Sequence, residues 1–138
     1  MRTPCYNVHV SVNVSVRLDD RLAEQLRLRA RAAGETLSDR LRLYADEGTR
    51  RDEHSLITFR DGPTGRRAGL IGGPDIWEVS MWLDDLAAEP ESLRVLSEES
   101  GLSRAQIDAV IRYRSAFPEE IEARIALHRS ESADAPTR

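Results

Sequence analysis

The stretch Val8–Leu18, VHVSVNVSVRL, decides how the rest of the chain is read. Val8, Val10, Val12, Val14, Val16 and Leu18 alternate with His9, Ser11, Asn13, Ser15 and Arg17. An unbroken period of two is the pattern of a β-strand buried on one face only. The pattern that follows is helical to about Arg51, so no second strand lies nearby to pair with. A lone strand cannot satisfy its backbone donors and acceptors inside a core. The economical solution is to pair with the same strand of a second copy, antiparallel across a two-fold axis. The valines then face helices, and Asn13, Ser15 and Arg17 face outward from each chain. A two-stranded ribbon of that width fits the major groove of DNA.

Working outward, Asp19 and Asp20 are placed to cap a helix running to about Ala33, with Leu22, Leu26 and Ala30 on one face. Gly34 stands where a left-handed C′ residue belongs. Thr36 caps a second helix, with Leu37, Leu41, Tyr44 and Ala45 as its apolar stripe and an end near Gly48. Thr49–His54 reads as a charged linker, which places a domain boundary after residue 51. Residues 1–7 contain Pro4 and no periodicity, and are expected to be a disordered arm.

The sequence VSVRLDDRLAEQLRLRARAAGETLSDRLRLYADEG, covering about Val10–Gly48, resembles the ribbon-helix-helix family of the Arc/CopG type. The resemblance implies that the outward strand residues read bases, here Asn13, Ser15 and Arg17. It also implies a phosphate anchor at the amide end of the second helix, here Thr36–Ser38. A helix N-terminus suits that role, because it presents free N–H groups and the positive end of the helix dipole. The competing reading of the strand residues is an ordinary solvated face.

Composition supports a division of labour. The chain has 138 residues, enough for one medium domain or two small ones. The net charge of −4 does not by itself suggest nucleic acid. Residues 1–73, however, hold 13 Arg and 10 acidic residues, net +3, whereas 74–138 hold 7 Arg and 14 acidic residues, net −7. A basic half joined to an acidic half suggests two different partners. All 20 basic residues are Arg, which a GC-rich genome explains on its own. The planar guanidinium fork nevertheless suits phosphate, guanine and carboxylate alike. Cys5 is the only cysteine, which excludes an intrachain disulfide and a zinc site built on paired cysteines. His9, His54 and His128 share no ligand spacing. No apolar run approaches membrane length, and the N-terminus lacks a signal-peptide core. The expectation is a soluble cytoplasmic protein without a metal or cofactor.

In the second half, Ser55–Phe59 and Arg66–Ile71 flank the turn-rich run Arg60–Gly65 and predict a small hairpin. The run GPTGRRAG lacks the Lys-Ser/Thr end of a phosphate-binding loop and reads as a turn. After Gly72-Gly73-Pro74, Asp75 and Glu78 form a capping box for a helix with Ile76, Val79, Leu83 and Leu86 buried. Trp77, Met81 and Trp82 widen its apolar surface and are read as core or dimer packing. Beyond Pro90, Glu91–Ser100 makes a short helix with Leu93 and Leu96 inward, and Gly101 is its C′ residue. Ser103, with Gln106 as capping partner, starts another helix that buries Ile107, Val110 and Ile111. Helix, Gly turn, helix at this spacing is a helix-turn-helix signature, with Arg104, Gln106, Arg112 and Arg114 exposed. An ordinary helical hairpin is an equal competitor, because Asp108, Glu98 and Glu99 would repel phosphate. Pro118 opens a last helix with a narrow stripe of Ile121, Ile125 and Leu127, and Ser130–Arg138 is expected to be disordered.

The run FRDGPTGRRAGLIGGPDIWEV, followed by GLSRAQIDAVIRYRSAFPEEIEARI, resembles a second family over about Ser55–Ile125. These are short helix-turn-helix domains of uncharacterised type, encoded beside PIN-like ribonuclease toxins and regarded as antitoxins. The chain has Gly73-Pro74 where that family more often has Gly-Thr-Arg, so no role of that Arg carries over. Together the resemblances imply a VapB-like type II antitoxin, mainly α with a short β-ribbon. Residues 1–51 would be the ribbon-helix-helix dimerisation and DNA-binding domain. Residues 52–138 would be a small β-hairpin/helix-turn-helix domain that binds a PIN-like toxin. Within it the helix from Pro118 is the expected toxin contact, through Ile121, Arg124, Ile125 and Arg129. The alternative contact is the Trp77/Trp82 surface or the hairpin. Arg104, Gln106 and Arg112 are a second candidate DNA-contact set. The competing function is a stand-alone dimeric repressor whose second domain reads DNA or senses a ligand. An enzyme is not expected, because no nucleophile–base pair, metal spacing or phosphate loop is present.

Overall fold

Asp19 is the first residue whose side chain organises the backbone, in a computed structural model that describes residues 11–135. Its carboxylate accepts from the Leu22 N–H at 2.9 Å and caps α1 (Asp20–Ala32). The helix closes on Gly34, at φ 68°, with Gly34 N–H donating to the Arg31 carbonyl and Glu35 N–H to the Ala30 carbonyl. This is the Schellman arrangement, and the left-handed turn it needs is the reason for a glycine there. Thr36 and Asp39 then cap α2 (Leu37–Glu53) reciprocally: Asp39 N–H donates to Thr36 Oγ1, and Thr36 N–H to Asp39 Oδ2.

Two corrections fall on α2. The helix does not end near Gly48 but continues to Glu53, so Thr49–Glu53 is helical rather than a linker. The charged residues that look like a linker are ion-pair partners: Glu47 is buried against Arg66, and Arg50 reaches Tyr113 and Glu120. Those bonds outweigh the roughly 1 kcal/mol that Gly48 costs a helix. Nor is the apolar stripe the buried one: Tyr44 and Ala45 are exposed, and Arg40 and Glu47 are the buried residues of α2.

The chain forms two compact units, one ending at Tyr44 and one beginning at Ala45, so the boundary lies inside α2. In the first unit, residues 11–19 carry no secondary structure. Val12, Val14 and Val16 are 79%, 79% and 64% exposed, and Leu22 and Leu28 are exposed as well. Among the described residues of this unit, only Leu26 and Ala30 are buried apolar residues. The expected positions Val8, His9 and Val10, and the arm before them, lie outside the described residues.

The second unit holds the core. β1 (Ile57–Arg60) and β2 (Arg67–Leu70) pair antiparallel, with Ile57 opposite Leu70 and Arg60 opposite Arg67. Gly62 and Gly65 exchange backbone hydrogen bonds of 3.1 and 3.0 Å across the turn. α3 (Ile76–Asp85) is the hub, packed against β2, α4 (Ser92–Ser100), α5 (Arg104–Ala116) and α6 (Pro118–Ala133). Ile57, Leu70, Ile76, Val79, Ile107, Val110 and Tyr113 are fully buried, with Leu96, Leu102, Ile121 and Ile125 around them. Gly101, at φ 74°, ends α4, and Ser103 with Gln106 forms the capping box of α5. Three expectations change here. Ile111 is exposed, its place in the core taken by Ala109 and Tyr113 on the adjoining face of α5. Leu127 is also exposed. α6 extends to Ala133, so the helix includes residues 130–133 that polarity alone marks as disordered. Among the described residues the architecture is six helices and one small hairpin, mainly α, and no helix is long and apolar enough to cross a membrane.

Candidate functional site

The expected base-reading residues Asn13, Ser15 and Arg17 are all exposed, as are the valines that alternate with them. A period-two segment with both faces in solvent has its apolar face uncovered within one chain. At the start of α2, Thr36 and Ser38 are exposed. The Thr36 side chain, then its N–H, hold the Asp39 carboxyl below its ordinary value. That carboxylate occupies the Thr36 N–H, which leaves the Leu37 and Ser38 amides as the donors open to an outside acceptor.

The residues of the helix-turn-helix reading are largely occupied. Arg104 pairs with Asp108 at 3.0 Å, and Gln106 serves the cap of α5. Arg114 forks onto Asp84 at 2.8 and 2.9 Å and also holds Glu122. That fork keeps the Asp84 carboxyl below its ordinary value. Arg112 is exposed and makes no ion pair among the described residues. α5 therefore presents one uncommitted cation beside the acidic Asp108, a poor match to a phosphate backbone.

The last helix is differently employed from the reading of its sequence. Ile121 and Ile125 are each 2% exposed and belong to the chain's own core. Arg124 donates to the Thr64 carbonyl and Oγ1 at 2.8 and 2.7 Å and to the Arg66 carbonyl at 2.8 Å, fastening α6 to the hairpin turn. Of the four expected toxin contacts, only Arg129 remains exposed.

Two clusters were not foreseen. In the first, Asp75 stands between Arg60 and Arg67, which face each other in the hairpin register. Like charges directly opposite repel. The buried Asp75 carboxylate resolves this by accepting from Arg60 at 2.8 Å, from Arg67, and from the Trp77 indole at 3.3 Å. The expected capping box of α3 is present as well, with Glu78 accepting from the Asp75 N–H at 2.9 Å. The signal was present in the two arginines flanking the turn, since such a pair needs an anion. In the second cluster, the buried Tyr113 hydroxyl donates to Glu120 at 2.9 Å and accepts from Arg50 at 2.9 Å. Burial pushes the Tyr113 phenol well above its ordinary value, so it stays protonated and able to donate. Arg50 lies over the Phe117 ring at 3.9 Å, and His54 meets Tyr113 edge-on at 5.2 Å. Both clusters bind elements of the second unit to one another. Among the described residues no group of three metal-ligating side chains is present.

No family model matches the chain, and neither a curated protein nor a solved structure is significantly similar to it.

Proposed function

We propose that the chain is a dimeric DNA-binding antitoxin. Its first unit pairs with a second copy through residues 8–18 and represses its own operon. Its second unit binds and neutralises a PIN-like ribonuclease toxin. The observation that carries this reading is the exposure of Val12, Val14 and Val16 in a unit with only two buried apolar residues among the described ones. Each valine covered by a partner strand and its helices contributes about 1.5–3 kcal/mol. That is a strong drive to dimerise for a unit with so little core. The dimer puts Asn13, Ser15 and Arg17 of both chains on one outward face, with the open amides of α2 placed to anchor phosphate.

The charge distribution supports two partners. Residues 1–44 hold 8 Arg and 5 acidic residues, net +3, and residues 45–138 hold 12 Arg and 19 acidic residues, net −7. An acidic unit suits a protein partner whose surface is basic because it holds RNA.

The test has three arms. Wild type should be a dimer by light scattering at micromolar concentration, and Val14→Asp should be monomeric or lose its first unit. Arg17→Ala should stay dimeric but bind its own upstream DNA about 1–3 kcal/mol more weakly, or with a shallower salt dependence. The product of the neighbouring gene should co-purify with wild type. A folded wild-type monomer refutes the ribbon. DNA binding without any co-purifying partner favours the stand-alone repressor.

A further inference from the structure

Ile121 and Ile125 belong to the core, so α6 does not offer the apolar docking stripe its sequence suggests. A cleft of about 340 Å³ between α3 and α4 is lined by Trp82, Leu86, Leu96, Asp85, Glu99 and Ser100. Its floor is apolar, formed by the buried Leu96 and the half-buried Trp82 and Leu86. Its rim is anionic, for two reasons. α3 ends in Asp84 and Asp85, and the last turn of α4 carries Glu98 and Glu99, with no basic residue in either last turn. Carboxylates at a helix C-terminus oppose the helix dipole. Second, only one of each pair is compensated: Arg114 holds Asp84 and Arg94 holds Glu98. Asp85 and Glu99, the two that line the cleft, make no ion pair or hydrogen bond among the described residues. Two dipole ends and two uncompensated carboxylates beside a tryptophan form an apolar slot with a negative rim. The charge arrangement is complementary to a cation.

We propose that this cleft docks a segment of a partner protein that presents an arginine or lysine flanked by apolar side chains. The cationic head sits between Asp85 and Glu99 and over the Trp82 ring, and the apolar neighbours enter against Leu86 and Leu96. Tryptophan at the centre of a water-excluding patch is the residue type that most often carries binding energy, and a guanidinium over its face gains a cation–π contribution. Nucleic acid is disfavoured by the same rim. The proposal rests on the antitoxin reading only for the identity of the partner, the toxin; the chemistry of the segment follows from the cleft.

The full-length chain tests it. The two indole N–H signals, one from each tryptophan, are followed by NMR while a short synthetic helical Leu/Arg peptide is added, and then its Leu/Gln counterpart. The Leu/Arg peptide should shift the Trp82 signal saturably. The Leu/Gln peptide, or the Asp85→Asn/Glu99→Gln variant, should weaken binding at least tenfold. That variant removes only exposed carboxylates that oppose the helix dipoles, so it folds. A charge-matched control, Glu53→Gln/Glu131→Gln, should bind as wild type does. No saturable shift, or equal weakening by the control, overturns the cleft. Co-expression with the neighbouring gene product separates the two proposals. Capture by wild type but not by Asp85→Asn/Glu99→Gln supports both. Equal capture by both overturns the cleft and leaves the antitoxin standing. Capture by neither, with charge-dependent peptide binding intact, overturns the antitoxin and leaves the cleft.

Discussion

Replacing Asp75 by Asn tests whether the hairpin is held to α3 by one buried charge. The substitution preserves volume and an acceptor oxygen and removes only the negative charge. Arg60 and Arg67 would then oppose each other across the register with no negative charge between them. Removing one partner of a buried ion pair costs about 3–5 kcal/mol. The lower end applies, because the Arg60 and Arg67 side chains are 34% and 24% exposed and Arg60 keeps a 2.8 Å bond to the Gly73 carbonyl. With a urea slope of about 1–3 kcal/mol per M, a loss of about 3 kcal/mol lowers the unfolding midpoint by roughly 1–3 M. Far-UV circular dichroism is the suitable probe, since Trp77 itself donates to Asp75 and its emission would change for local reasons. The triple variant Arg60→Met/Arg67→Met/Asp75→Asn should regain most of the loss, because an apolar replacement leaves no uncompensated charge. A midpoint for Asp75→Asn within about 0.3 M of wild type would refute the reasoning. So would a triple variant no more stable than the single one.

Three further outcomes follow from the same geometry. The Arg60 guanidinium lies directly over Gly69, where a Cβ would collide with it, so Gly69→Ala should displace Arg60 from Asp75 and cost about 1–3 kcal/mol in the same urea assay. Asp84 is held below its ordinary carboxyl value by Arg114; its stabilisation is complete above the unfolded-state value and lost as pH falls through the lower folded value. Urea midpoints of wild type and Asp84→Asn should therefore differ at neutral pH and converge as pH falls below the lowered Asp84 value. A fragment starting at Ala45 should be more stable than one starting at Glu53 by about 2 kcal/mol or more, because only the longer keeps Glu47 on Arg66 and Arg50 on Tyr113 and Glu120. Equal thermal unfolding of the two fragments would count against a structural role for the second half of α2.

The sequence by itself determined where helices begin and turn. Asp19, Thr36 and Ser103 as caps, Glu78 at the start of α3, and Gly34 and Gly101 as left-handed ends were all legible. Each acts through bonds within a few residues, and local chemistry does not depend on the rest of the fold. The hairpin was legible for the same reason, from its turn residues. Only the tertiary structure decided how faces and charges were spent. α2 outlasts Gly48 because Glu47 and Arg50 find partners at Arg66, Tyr113 and Glu120, far along the chain. The stripe of α6 that resembles a docking face is consumed by the core, since an amphipathic pattern shows that a face is covered and not by what. The same limit applies in reverse to Val12, Val14 and Val16. Their alternation marks an apolar face that the described residues leave exposed, which is the physical ground for testing whether a second copy covers it.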